Sequence, residues 1–155
     1  MTRNPTIGIV IPCYNEEENL VSLIKQCMDI QKNSDIRFLL VNNGSKDSTK
    51  DIFQSYENTD LRFLNLDVNL GYGGGILAGL KELSEDYVGW IHADMQTNLE
   101  ESLRKIPKFN FDYYKGIRTG RGITENIFSY AMGFYCSLIF KKWLFEINAQ
   151  PTLMS

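Results

Sequence analysis

Four polar segments carry most of the residues that could do chemistry: Pro12-Cys13-Tyr14-Asn15-Glu16, Asn42-Asn43-Gly44-Ser45, Asn69 through Gly75, and His92-Ala93-Asp94-Met95-Gln96. A single loop of Asn, Gly and Ser ordinarily makes a turn or caps a helix. Asp94 and Gln96 stand two residues apart, so extended geometry turns both the same way. A carboxylate and an amide oxygen are hard ligands suited to Mg²⁺ or Mn²⁺, and Mg²⁺ commonly takes one or two protein carboxylates with substrate phosphates completing its shell. Capping of the next turn accounts for Asp94 equally well. Lys115, Arg118 and Arg121 follow, spaced by Gly116, Gly120 and Gly122. They suit bidentate phosphate contacts, or simply a solvated loop. Gly71-x-Gly73 invites a dinucleotide fingerprint, but Ile76 stands where its third glycine belongs. A tight turn at Gly71–Gly75, with Gly79 allowing close helix packing, is the simpler account.

The positions of these segments follow from the apolar pattern. Runs rich in Ile, Val, Leu and Phe at 7–11, 36–41, 61–66 and 87–91 have the length and continuity of strands buried in a parallel sheet. Between the first two, Leu20, Leu23, Ile24, Cys27 and Met28 form a helical stripe. Asn15 is read as its N-cap, with Glu16, Glu17 and Glu18 complementing the helix dipole. A second helix is expected from about Ser45 or Asp47, with Ile52, Phe53 and Tyr56 inward. A third should follow Gly73–Gly75 and bury Ile76, Leu77, Leu80 and Leu83. A short fourth carries Leu99, Leu103 and Ile106 up to Pro107. A strand fits 111–115, and a long helix fits 124–146, with Tyr130, Phe134 and Leu138 read first as core and second as a lipid-facing surface beside Lys141 and Lys142. Alternating strands and helices mean βαβ units. In such sheets ligands bind beyond the carboxyl ends of the strands, which is where all four polar segments fall.

The chain has 155 residues, 16 Lys plus Arg, 19 Asp plus Glu, and a formal net charge of -3. That balance lacks the basic face a nucleic-acid partner needs. Three scattered cysteines without a CxxC pair suggest neither a disulfide framework nor a zinc site, and fit a reducing compartment. No secretory leader is evident, and the apolar stretch 127–140 is too short to span a bilayer. One domain is expected over 1–155, with no linker or repeat.

Taken in order, the motifs Ile9-Val-Ile-Pro-Cys-Tyr-Asn-Glu16, Leu40-Val-Asn-Asn-Gly-Ser-Lys-Asp-Ser-Thr49, Asn69-Leu-Gly-Tyr-Gly73, Gly89-Trp-Ile-His-Ala-Asp-Met-Gln96, Lys115-Gly-Ile-Arg118 and Asn148-Ala-Gln-Pro151 resemble the family 2 glycosyltransferases. Within them, the sequence looks like the polyprenyl-phosphate, dolichol-phosphate mannose synthase-like branch. The resemblance implies a GT-A-like (Rossmann-like) α/β fold: an open, mostly parallel sheet flanked by helices. The nucleotide-sugar half would cover about 5–96 and the acceptor side about 97–155, with the acceptor half short at its C-terminus.

The resemblance further implies that Pro12, Tyr14, Asn15, Glu16, Asn43, Gly44, Ser45, Asn69, Gly71, Gly73, Ala93 and Asp94 contact the nucleotide-sugar, with Asn43 near the base where the family usually has an acid. The His92-Ala93-Asp94 segment would be the family's DxD metal motif, with His92 in place of the first acid. Asp94 and Gln96, with His92 as a further ligand, would then hold Mg²⁺ or Mn²⁺. Arg118 and Arg121 would hold the acceptor phosphate or leaving diphosphate, and Gln150 would approach the donor sugar; with Asp94 these form the catalytic set. The implied function is metal-assisted, inverting transfer from a UDP- or GDP-sugar to a polyprenyl-phosphate or cell-envelope glycan acceptor. The expected location is cytoplasmic, with peripheral contact at the membrane face. The short C-terminus and the missing acid motivate an alternative: a non-catalytic fragment that binds nucleotide or a partner protein. Self-association over an incomplete edge is a further option. A Rossmann oxidoreductase ranks last.

Overall fold

The computed structural model describes residues 4–93, 99–104, 106, 111–116, 123–143 (backbone alone for 123–129) and 150–155. The strands are β1 (Ile7–Cys13), β2 (Ile36–Asn43), β3 (Arg62–Leu66), β4 (Tyr87–Trp90), β5 (Tyr113–Lys115) and β6 (Thr152–Met154). The helices are α1 (Glu17–Lys32), α2 (Thr49–Ser55), α3 (Gly71–Leu80), α4 (Leu99–Arg104) and α5 (Ile123–Phe140). The sheet order is β3-β2-β1-β4-β6-β5. The β3-β2-β1-β4 part is parallel throughout, and β6 pairs antiparallel with both β4 and β5. The sheet is thus open and mostly parallel, as the resemblance implies.

Side-chain alternation explains the two-sided burial. Ile7, Ile9, Ile11 and Cys13 of β1 and Phe38 and Leu40 of β2 join the core formed with Leu20, Leu23, Ile24 and Cys27 of α1, Phe53 of α2, and Leu99 and Leu103 of α4. The intervening Val10, Leu39 and Val41 face the opposite layer, where Leu80 and Leu83 pack. A strand apolar at every position therefore needs helices on both faces. Helix α3 supplies the second face and approaches closely. A Cβ added to Gly79 would lie 2.5 Å from Val10 Cγ1 and 2.9 Å from Val41 Cγ2, so Gly79 does the close-packing work its position suggests.

Pro12 sits in a central strand, where its missing N–H needs an explanation. The Val10 carbonyl accepts from Ile91 N–H at 3.1 Å, so Val10 faces β4, and Pro12, two residues on, faces the same way. The β1–β4 register ends at Val10–Trp90, however, while β1 continues along β2 to Cys13–Asn42. The proline therefore falls where the two strands have parted, and no ladder bond is lost.

Several boundaries differ from the sequence reading. Helix α3 begins at Gly71, so Gly73–Gly75 lie inside it; Leu77 is exposed and Leu83 lies past its end. Helix α2 starts at Thr49, later than expected, and Tyr56 is its C-cap. Strand β5 is confined to Tyr113–Lys115, and β6 is an element the pattern did not suggest. Helix α5 ends at Phe140, and Lys141 adopts a left-handed φ of 51°; Glu146 and Pro107 lie outside the described residues. The expectation that α5 buries Tyr130, Phe134 and Leu138 is overturned. All three are exposed, Phe134 at 64%, as are Tyr135, Phe140 and Trp143, the last at 86%. No described helix is long and apolar enough to cross a membrane.

Gly79→Ala is expected to cost about 1–3 kcal/mol, because two stiff β-branched side chains must yield to the new methyl. In a chain of this length that lowers the thermal midpoint by several degrees, roughly 2–4 °C per kcal/mol. A calorimetric scan with an unchanged midpoint would show that α3 can move away from the sheet at no cost.

Candidate functional site

The parallel strands bring their carboxyl ends, Cys13, Asn43, Leu66 and Trp90, to one sheet edge. The order reverses between β1 and β4, since β2 and β3 extend to one side and β4 to the other. That is the switch point at which open α/β sheets bind ligands.

The loops above the edge are tied to one another by polar side chains. Asn15 adopts φ 56°, a left-handed conformation asparagine tolerates. Its N–H donates to Ser45 Oγ at 3.0 Å, and its Oδ1 accepts from Lys46 N–H at 2.9 Å. Asn15 is therefore a bridge between loops and not the N-cap of α1. Glu16 holds the cap position, and its side chain makes no capping hydrogen bond to the helix. The caps come across the loops instead: Asp47 Oδ2 accepts from Glu17 N–H at 3.0 Å, and Glu17 Oε2 accepts from Ser48 N–H at 2.9 Å. Asp47 Oδ1 also accepts from Thr49 N–H, so one carboxylate serves the starts of both α1 and α2. Burial works to raise the Asp47 pKa, but bonds from the Thr49 hydroxyl and from the backbone of Glu17, Thr49 and Asp47 outweigh it and hold the carboxyl below its ordinary value.

Asn43 is 3% exposed and has both ends of its amide in use. Its Nδ2 donates to Gly71 O at 2.9 Å and to Asn69 Oδ1 at 3.2 Å, while its Oδ1 accepts from Leu70 N–H at 3.0 Å. Asn69 Oδ1 also accepts from Gly71 N–H at 2.7 Å. An ionised acid here could not donate to the Gly71 carbonyl, which is the physical reason for an amide. Asn42 acts similarly, donating to Asn65 Oδ1 and accepting from Ser45 N–H. Gly44, at φ 68°, passes so close to the third loop that a Cβ would lie 2.5 Å from Asn69 N, which only glycine allows.

On the β4 side, His92 follows the strand and Ala93 is buried. The His92 ring stacks on Tyr72, with centroids 4.8 Å apart. The His92 N–H donates to Gln150 Oε1, and Gln150 Nε2 donates to the Tyr72 hydroxyl at 2.7 Å. The structure thus gathers Asn15, Asn43, Gly44, Ser45, Asn69, Gly71, His92 and Gln150 into one connected edge. Pro12, Tyr14, Glu16, Gly73 and Ala93 lie within the same segments. Asp94, Gln96, Arg118 and Arg121 lie outside the described residues. Sequence reasoning named Asp47 only as a possible helix start and gave Tyr72, Asn65 and Thr49 no role of their own; among these, an aromatic inside a glycine run was the one visible oddity.

Among the described residues, no three His, Cys, Asp or Glu side chains converge on a cation position. The thiols of Cys13 and Cys27 are buried, which pushes both well above the ordinary thiol range, so neither is a nucleophile.

The profile described as Glycosyl transferase family 2 matches residues 8–150. The chain is 34% identical over 122 residues to an undecaprenyl-phosphate 4-deoxy-4-formamido-L-arabinose transferase of Pseudomonas syringae pv. syringae, covering 74% of this chain and 36% of that protein. It is 30% identical over 121 residues to a poly-beta-1,6-N-acetyl-D-glucosamine synthase of Staphylococcus aureus, covering 77% and 29% respectively. The chain thus spans about a third of the length of these relatives. In fold it resembles glucosyl-3-phosphoglycerate synthase from Mycobacterium tuberculosis, solved with Mn²⁺, uridine diphosphate and phosphoglyceric acid, at a TM-score of 0.67 and 18% identity over 97% of this chain and 56% of that one.

Two outcomes are expected from the loop contacts. Asn43→Asp should destabilise by about 1–3 kcal/mol or more at neutral pH, because a buried carboxylate would face two oxygens. The new carboxyl would have a raised folded-state pKa, so the loss should shrink as pH falls, which unfolding curves across pH can read. Asp47→Asn has the opposite profile. A depressed folded-state pKa gives stability that is present above the unfolded carboxylate value and lost as pH falls through the folded one. The gap between wild type and Asp47→Asn should therefore be widest near neutral pH and begin to close as pH falls below the ordinary aspartate value of about 3.9; a gap independent of pH would refute the capping role.

Proposed function

The chain belongs to glycosyl transferase family 2, and on that premise we propose that it is the nucleotide-sugar module of an inverting transferase acting on a polyprenyl-phosphate or cell-envelope glycan acceptor. The observation that carries this reading is the sheet edge at the strand-order switch, where polar side chains lace the loops after β1, β2 and β3 and join the segment after β4 to Tyr72. Pro12, Tyr14, Asn15, Glu16, Asn43, Gly44, Ser45, Asn69, Gly71, Gly73 and Ala93 form the donor side in this reading. The use of undecaprenyl phosphate in one relative's name and of Mn²⁺ and UDP in a structural neighbour supports the choice of ligands.

In the proposed reaction the acceptor oxygen attacks the anomeric carbon, a new C–O bond forms, and the bond to the nucleoside diphosphate breaks with inversion. Asp94 and Gln96 would hold a divalent cation, which when bound neutralises charge on the leaving diphosphate. Because His92 stacks on Tyr72, its place in that ligand set is the weakest of the three. A sugar hydroxyl acceptor needs a general base, whereas a phosphate acceptor is already anionic and needs only cations to hold it. Lys115, Arg118 and Arg121 fit that second need. The exposed aromatic face of α5, beside Lys141 and Lys142, supports peripheral contact with the cytoplasmic membrane surface.

Thermal unfolding with UDP, GDP and NAD, each with and without Mn²⁺, tests the donor site. A ligand at 100 times its dissociation constant stabilises by about 2.7 kcal/mol, a shift of several degrees here. The expected result is a metal-dependent shift with UDP or GDP, none with NAD, and loss of the shift in Asp94→Ala. No shift with either sugar nucleotide base overturns the reading.

A further inference from the structure

Tyr72 joins three segments that are far apart in sequence. Its ring lies against the His92 imidazole, with the planes 21° from parallel. Its hydroxyl accepts from Gln150 Nε2 and lies 3.5 Å from His92 Nε2. Gln150 Oε1 accepts the His92 backbone N–H, closing the circuit. The orientation of the Gln150 amide follows from its chemistry. A backbone N–H can meet only the oxygen end, so the nitrogen end turns toward an acceptor, and the phenol oxygen is that acceptor. Phenylalanine at position 72 would keep the stack and lose the acceptor; a small or aliphatic residue would lose both.

The circuit extends further. Tyr72 stands in the first turn of α3, whose start is pinned by Asn43 through Leu70 N–H and Gly71 O. A continuous line of contacts therefore runs from β2 through Asn43 and the start of α3 to Tyr72, Gln150 and His92, the residue two before Asp94. Three of the strand-end segments and the segment entering β6 meet along that line.

We propose that Tyr72 is a positioning residue for the donor edge: it fixes the Gln150 amide and, through it, the backbone at His92 that leads into Ala93 and Asp94. The hold on Gln150 stands on geometry alone; its consequence for nucleotide binding rests on the donor-site reading above.

The test uses Tyr72→Phe, Gln150→Leu and the double variant of the full chain. Hydrogen exchange read by NMR should show the His92 amide exchanging about tenfold faster in Tyr72→Phe, the size of one neutral hydrogen bond. The Ile91 amide, bonded to the Val10 carbonyl, should stay as in wild type. Calorimetric titration with UDP and Mn²⁺ should show each single variant binding up to about tenfold more weakly and the double variant no weaker than either, as expected of residues acting in one unit. Unchanged His92 exchange, equal acceleration at Ile91, or additive losses of affinity would each overturn the proposal. If wild type binds no nucleotide while the His92 amide still responds to Tyr72→Phe, the donor-site reading fails and the hold of Tyr72 on Gln150 stands.

Discussion

The buried amide of Asn43 is the interaction on which the order of this sheet edge depends. Helices cover both faces of the strands, so the apolar contacts that fix a core are used up below the edge. The loops above it contain few side chains that could pack, and hydrogen bonding must do the positioning. Asn43 is suited to that because an amide both donates and accepts, and both its ends meet backbone of the segment that opens α3. In a buried setting such a bond is strong when satisfied and costly when broken. No buried side-chain nitrogen or oxygen among the described residues lacks a partner.

The parallel strands were legible because apolar runs of this length leave few alternatives. Boundaries were less so, and α3 shows why. Its opening glycines look like a breaker by local propensity, yet they are helical because Gly75 lies against Asn43 and Gly79 against Val10 and Val41. Packing outweighed propensity. Asn15 misled in the reverse sense: its type and the acids after it suggested a cap, while its bonds run sideways to the next loop. Strand β6 is only three residues long, and the pairing that defines it is with β4, far earlier in the chain, so no local pattern could reveal it. The apolar periodicity of α5 was real, but periodicity says nothing about what covers a face.

For the site, the ordered motifs pointed to segments that the fold brings to one sheet edge, and to many of the residues that bond to one another there. What they could not give was the pairing across loops. Asp47 serving two helices, Asn42 meeting Asn65, and Tyr72 lying on His92 are relations between residues whose separation in sequence carries no spacing rule. The amide at position 43 shows the gain from structure most clearly. As a sequence feature it was a departure from an expected acid; in three dimensions its donor groups have specific acceptors.

The placement of β6 between β4 and β5 has a consequence for the order in which the molecule can assemble. The four parallel strands are complete in the first 90 residues, and their contacts can form as soon as that length has been synthesised. Strand β5 cannot join them through its pairing with β6 when it emerges, because β6, its only strand partner among the described residues, has yet to be made. Residues 113–115 must wait unpaired until 152–154 dock beside β4. The same docking brings in Gln150 beside His92 and Tyr72, so the pairing of β6 with β4 and the completion of that side of the edge are one event.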